Sequence, residues 1–305
     1  MKILVTGAKG QVGQEIMRLG GTAVDVGKDN AELIGFTSHE LDISSLAQVE
    51  QQLKAHRPNV VINAAAYTAV DKAETEPERA YAVNQLGPEN LAKVCKTLGI
   101  LLIHLSTDYV FDGEQNHPYS ENDLPNPTGI YGLSKLKGEQ AVQTNLDEHY
   151  IVRVAWVFGA YGNNFVKTML RLANERDSLA IVDDQTGGPT WAKDIAKLVL
   201  HMAQHNVKIK GQPADYLPFR TYHYTGNKNL SWYDFAACIF KKAYSLGLIK
   251  KIPELTPITT AAYPTPAKRP KNSCLDCSKI QQNTNLALSN WEHALDNVLQ
   301  TWTTQ

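Results

Sequence analysis

The sequence predicts an α/β protein built on a doubly wound parallel sheet, with a smaller C-terminal region intertwined with it. Three observations carry that prediction. Short runs rich in Val, Ile and Leu alternate with longer segments of helical period, the pattern of strands covered on both faces by crossover helices. A glycine-rich stretch, Gly7-Ala8-Lys9-Gly10-Gln11-Val12-Gly13, follows the first run directly, where such sheets bind phosphate at a helix start. The chain of 305 residues, 43% hydrophobic and 20% charged, is long enough for a full core in one large or two closely joined domains.

The strands are expected at residues 2–6, 33–36, 60–64, 101–106, 151–157, 179–182 and 222–225, each a short apolar run. Helices are expected between them, at 11–19, 46–56, 77–98 and 134–144. Crossovers in such sheets are right-handed, and ligands bind beyond the carboxyl ends of the strands. After about Asn164 the alternation loosens into a turn-rich Asp183-Asp184-Gln185-Thr186-Gly187-Gly188-Pro189-Thr190 and a proline-rich segment from Tyr263 to Pro270.

Charge and cysteine content narrow the function. With 30 basic and 31 acidic side chains the net charge is -1, so no general field attracts nucleic acid or an anionic membrane. The sequence shows no long apolar stretch of a signal peptide or membrane span and reads as cytoplasmic. Cys95, Cys238, Cys274 and Cys277 are too few and too unevenly placed for a disulfide framework. Cys274 and Cys277 have a CxxC spacing without a second Cys or His pair nearby, so it reads as coincidence and no metal is assigned.

The glycine loop offers free backbone N–H groups to a pyrophosphate through Gly7, Gly10, Gln11, Val12 and Gly13. No clear acidic residue stands about 20 positions on to hold the ribose 2′-hydroxyl of NAD; Thr37 and Ser38 follow the second strand instead. A 2′-phosphate is tolerated there, and no arginine demands one. Asp42 and Ile43 suit an adenine edge, or equally a helix N-cap pair with Ser44 or Ser45. Ala64, Ala65 and Ala66 end the third strand with side chains small enough for a flat ring to lie on the backbone.

Tyr131 and Lys135 stand four residues apart in a helix-like run, hence on one face. By itself that spacing is equally a solvated surface pair. Beside a crevice, the ammonium would favour phenolate and make Tyr131 a stronger acid, able to protonate an oxygen as hydride reaches the attached carbon. Lys135 could also hold a nicotinamide ribose. Ser106-Thr107-Asp108 closes the fourth strand and delivers a hydroxyl to the same edge, although such a run also makes a good turn. Gly138 and Glu139 read as helix packing and surface.

In this order, the glycine loop, Ser106-Thr107-Asp108 and Tyr131…Lys135 resemble the Rossmann-type extended short-chain dehydrogenase/reductases. The stretches 63–74, 106–111, 162–165, 184–190 and 262–273 narrow the resemblance to the dTDP-4-dehydrorhamnose reductase family. That resemblance implies NADPH- or NADH-dependent reduction of the C4 keto group of dTDP-4-dehydro-L-rhamnose, for cell-surface polysaccharide. It implies a catalytic group of Thr107, Tyr131 and Lys135, substrate contacts from Thr107, Asp108, Trp156 and Arg269, and a division into residues 1–160, binding the dinucleotide with later segments rejoining them, and 161–305, mainly binding the nucleotide sugar. Trp156 serves equally for core packing, and Arg269 for an exposed loop cation. Some relatives dimerise through Mg2+ held near the last helix; Glu292 and Asp296 are available there, and both a homodimer and the ion stay open. Two alternatives remain: another nucleotide-sugar reductase, epimerase or dehydratase, and a non-catalytic subunit resembling the regulatory subunit of methionine adenosyltransferase. Dehydratases place an acid pair after the hydroxyl residue, whereas Asp108 is followed by Tyr109, and an intact Tyr131 and Lys135 speak for catalysis.

Overall fold

A computed structural model describes residues 1–20, 31–206 and 217–303. The chain opens with β1 (Lys2–Thr6), α1 (Gln11–Gly20), β2 (Glu32–Phe36), α2 (Leu46–His56) and β3 (Val60–Asn63). It continues through the short α3 (Val70–Ala73) and α4 (Pro77–Tyr81), a π-turn at Ala82–Leu86, α5 (Gly87–Leu98), β4 (Leu101–Thr107), α6 (Ile130–Asn145) and β5 (His149–Val154). There follow β6 (Val157–Phe158), α7 (Phe165–Glu175), β7 (Ser178–Val182), β8 (Thr186–Gly187), β9 (Thr190–Trp191), α8 (Ala192–Asn206) and β10 (Thr221–His223). The described chain closes with β11 (Leu230–Ser231), α9 (Trp232–Ser245), β12 (Glu254–Ile258), β13 (Asn272–Ser273), α10 (Ser278–Thr284) and α11 (Trp291–Thr303).

Six strands form one sheet in the order β10-β5-β4-β3-β1-β2, all parallel. Its strands are apolar on both faces, and successive side chains go to different cores. Ile3, Val5, Val60, Ile62 and Ile103 pack on the face covered by α1 and α8, while Leu4, Val61, Leu102 and Ile151 pack on the face covered by α2, α5 and α6. That alternation is the period of two of a pleated strand. It explains why these runs show no polar face.

A second core lies apart, built from Phe158, Val166 and Met169, then Phe235, Ile239 and Phe240 of α9 and Leu295 and Leu299 of α11. Three small sheets border it: β7 with β12, β8 between β11 and β13, and β6 with β9. Helix starts are set by side-chain caps, Ser45 for α2, Asn164 for α7 and Ser231 for α9, each accepting from a backbone N–H that has no intrahelical partner.

The structure corrects the expected elements in three places. The helix expected over 77–98 is interrupted by the π-turn, where the Asn84 side chain turns inward and bonds the Tyr67 backbone. The strand expected to reach residue 157 stops at Val154, because Trp156 has φ +49° and reverses the chain. Gly138 and Glu139 are buried, not on the surface: a Cβ on Gly138 would fall 2.0 Å from the Asn84 carbonyl oxygen, and Glu139 ion-pairs with Arg153 inside the protein. Among the described residues no helix is long and apolar enough to cross a membrane.

Candidate active site

From β1 the chain passes to β2 on one side, while β3 lies on the other, so the sheet has its topological switch point between the ends of β1 and β3. A cleft of about 760 Å³ opens there. Gly7 forms its turn with φ +69°, and a Cβ on it would lie 2.6 Å from the Ala65 backbone nitrogen, which only glycine avoids. The Gly10 N–H closes the turn on the Gly7 carbonyl at 2.9 Å, and α1 starts at Gln11 with its first N–H groups at the cleft. Gly7, Gly10, Gln11 and Val12 line the cleft. Gly13 does not; it lets α1 pack on the Gly7 carbonyl, 2.1 Å from where a Cβ would stand. Loop, helix start and cleft together fit a dinucleotide pyrophosphate.

Ala64, Ala65 and Ala66 form the neighbouring wall. The strand ends beneath are tied by side chains: Thr6 Oγ1 donates to Asn63 Oδ1 at 2.7 Å, and Asn63 Nδ2 lies 2.9 Å from His104 Nδ1. At the far end Asp42 and Ile43 reach the cleft together with Thr37, Ser38 and His39. Asp42 lines the cleft and also forms a local turn, its Oδ1 accepting from the Ser44 N–H and hydroxyl at 2.9 and 2.7 Å, while Ser45, not Asp42, is the cap of α2. The carboxylate of Glu40 is held by the Thr37 N–H and hydroxyl at 2.9 and 2.8 Å. Those bonds lower its pKa. Lys9 and Arg79 also line the cleft. The sequence reading missed both; Lys9 is inside the glycine loop it singled out, and Arg79 comes from a helix with no recognisable motif.

Tyr131 and Lys135 line the opposite wall, one turn apart on α6. Lys135 is 2% exposed, and its Nζ donates to the Leu105 carbonyl at 2.6 Å. Burial brings its pKa down to about 8, partly opposed by Glu139. Burial raises the Tyr131 phenol; the Thr107 hydroxyl counters that rise, and Asp108 and Tyr109 add to it. The expectation that Lys135 acidifies Tyr131 is therefore not met by the protein alone. The ammonium is drawn to a β4 carbonyl a turn away, and burial outweighs it.

Thr107 ends β4 beside this wall, its hydroxyl donating to Asp108 Oδ1 at 2.9 Å and accepting from the Tyr109 N–H at 3.2 Å. Asp108 is 3% exposed and its Oδ2 has no hydrogen-bond partner. The Tyr109 ring meets Tyr131 edge to face at 5.3 Å. Arg269 follows as the next layer, donating to the Tyr109 hydroxyl at 3.4 Å and to Asp71 Oδ2 at 2.8 Å. It is thus a paired cation one ring away from Tyr131.

A dinucleotide loop, a Tyr/Lys pair and a threonine now share one edge of one sheet. Family comparison agrees across the chain, the model for the RmlD substrate binding domain matching residues 1–304. The chain belongs to the dTDP-4-dehydrorhamnose reductase family. A curated member from Aggregatibacter actinomycetemcomitans is 45% identical over 297 residues, spanning 97% of this chain and 98% of the relative. A solved dTDP-4-dehydrorhamnose reductase from Clostridium acetobutylicum superimposes with a TM-score of 0.88 at 39% identity, covering 99% of both chains. Another, from Bacillus anthracis in complex with NADP, has a TM-score of 0.87 at 33% identity, covering 98% of this chain and 99% of that one.

The family motifs of the second half are built into its framework. Asp184 accepts from the Thr260 N–H and hydroxyl at 2.7 and 2.6 Å, and Gly187 packs on the Trp156 indole. Trp156 is only partly buried, and Trp232 covers one of its faces in a parallel stack at 3.4 Å. Cys274 and Cys277 are buried free thiols facing Thr186 and Thr225. Glu292 and Asp296 are each paired within the chain, with Lys228 at 3.3 Å and Lys242 at 2.5 Å, and among the described residues no three His, Cys, Asp or Glu side chains gather as metal ligands.

Proposed function

We propose that this protein reduces the C4 keto group of dTDP-4-dehydro-L-rhamnose to dTDP-L-rhamnose, using NADPH and less readily NADH, for cell-surface polysaccharide. One observation carries the reading: Tyr131 and Lys135 line the dinucleotide cleft, and the buried Thr107 hydroxyl lies within hydrogen-bonding reach of the Tyr131 phenol, in a chain with full-length kinship to that family. The bound dinucleotide supplies the hydride. Tyr131 gives its proton to the C4 oxygen, and the buried phenol, held neutral at pH 7, is in the correct form to do so. Thr107 holds the same oxygen, while Lys135 holds the nicotinamide ribose. Arg269, already at Tyr109, takes the substrate diphosphate through paired charge-assisted bonds in place of Asp71. Asp108 and Trp156 complete the sugar side. Ser38, His39 and Lys9, with Glu40 withdrawn onto Thr37, suit a 2′-phosphate.

The test is a rate assay with purified protein, NADPH and dTDP-4-dehydro-L-rhamnose. Wild type should oxidise NADPH, and Tyr131→Phe should lose about 10²–10⁴-fold in kcat while still binding cofactor. A Tyr131→Phe variant as fast as wild type would remove Tyr131 from the proton step. Cofactor binding without turnover of this sugar would overturn the substrate assignment.

A further inference from the structure

The helix that carries Tyr131 and Lys135 has a third buried polar residue on the same stripe. Tyr131, Lys135 and Glu139 follow one another at intervals of four, so all lie on one side of α6. Glu139 is 1% exposed and fully engaged. Its Oε1 accepts from the Ser106 hydroxyl at 2.5 Å and from Arg153 Nε at 2.9 Å, and its Oε2 accepts from Arg153 Nη2 at 2.6 Å. Arg153 comes from β5 and is itself 4% exposed. Its Nη1 lies 3.4 Å from Nε2 of His223 on β10, whose Nδ1 is 3.0 Å from the Tyr119 carbonyl. Because that carbonyl can only accept, His223 has its proton on Nδ1 and receives from Arg153 through Nε2. It is neutral.

Arg153 and Glu139 therefore form a buried ion pair, and Glu139 lies one helical turn beyond the buried Lys135 on the same side of α6, where its charge favours the ammonium. A buried cation needs a countercharge, and among the described residues Glu139 is the carboxylate whose charge supports that of Lys135. The remaining titratable groups that face Lys135 are Tyr131 on its own helix and His104 on β4, the latter kept neutral by burial and by Lys135 itself. From the π-turn, Asn84 offers only an amide to Ser134. Glu139 also grips Ser106, the residue before Thr107, and so ties the end of β4 to α6.

We propose that Glu139 is a positioning residue for the reduction: its carboxylate, locked by Arg153 and Ser106, is the countercharge that keeps Lys135 cationic and sets the strand end that presents Thr107. Gly138 makes the arrangement accessible by letting α6 close onto the π-turn. The role rests on the proposed function for its catalytic meaning, but its test does not need substrate. In protein labelled with 15N at lysine Nζ, Lys135 is assigned by the signal lost in Lys135→Arg and titrated in wild type, Glu139→Gln and Glu139→Asp. Glu139→Gln should titrate about one pH unit or more below wild type, and Glu139→Asp should restore most of the difference. The high-pH limb of kcat should move by the same amount wherever turnover is measurable. Should Glu139→Gln fail to fold, Glu139→Gln with Arg153→Met removes both charges of the ion pair, and Lys135 should again titrate lower. A Lys135 titration unchanged in these variants overturns the proposal and reduces Glu139 to a packing residue. Failure of the reductase reading would show instead as no turnover in wild type.

Discussion

Asp108 sits beside Thr107 with one carboxylate oxygen unpaired, and burial pushes its pKa up to about 6 against the opposing hydroxyls of Ser273 and Thr107. Its folded pKa is raised above the ordinary carboxylate value, so the native state binds more protons between about pH 4 and 6, and stability falls as pH rises through that window. Above pH 6 the buried charge costs about 3 kcal/mol. Asp108→Asn should accordingly melt at higher temperature than wild type at pH 8, the gap closing toward pH 4. A gap independent of pH in thermal scans would show that Asp108 is not a buried charge. At this scale the sequence placed Tyr131 and Lys135 on one helix face, and its resemblance to the family singled them out with Thr107 as the candidate catalytic group. It did not expose their environment: Glu139 four residues on looked like a surface residue, since nothing local indicates that Arg153 of β5 stands opposite.

At the scale of elements, α6 is the piece on which the site depends, and its position is set by close approach. Ordinarily Gly→Ala in a helix gains about 0.5–1 kcal/mol. At Gly138 the new methyl would stand 2.0 Å from the Asn84 backbone oxygen, so overpacking of about 1–3 kcal/mol reverses the sign. Gly138→Ala should lower denaturant stability by that amount and displace Tyr131 and Lys135, lowering kcat, whereas Gln140→Ala on the exposed side of α6 should change stability by less than about 0.5 kcal/mol. The body of α6 and the five strands of the large sheet that precede β10 follow from local pattern, although α6 starts at Ile130, four residues before the expected start at Ser134. The π-turn and the reversal at Trp156 do not, because each answers to a tertiary partner: Tyr67 for Asn84, and Gly187 and Trp232 for the indole.

For the whole molecule, the large sheet and the second core are separate apolar units, and the cleft is lined from both sides of the chain, Gly162 and Asn163 facing the glycine loop. Asn164 Nδ2 reaches Gln11 Oε1 at 3.1 Å, joining α7 to the first residue of α1. A ligand in this cleft braces the region that precedes α7 against the sheet. NADPH at about a hundredfold excess over its Kd should add about 2.7 kcal/mol to stability, raising Tm by roughly 4 °C for a chain of this size. A Tm unmoved by saturating NADPH in differential scanning calorimetry would remove the cleft as the cofactor site.

What the sequence by itself determined is the parallel α/β sheet, the glycine turn at Gly7 and the Tyr131/Lys135 pair on one helix face. These depend on local periodicity, on a glycine-only backbone angle and on helical spacing, all of which are properties of neighbours along the chain. Only the tertiary structure decided which polar groups are buried together. Glu139, Arg153 and His223 come from α6, β5 and β10, and their charges acquire meaning only where packing removes water from between them.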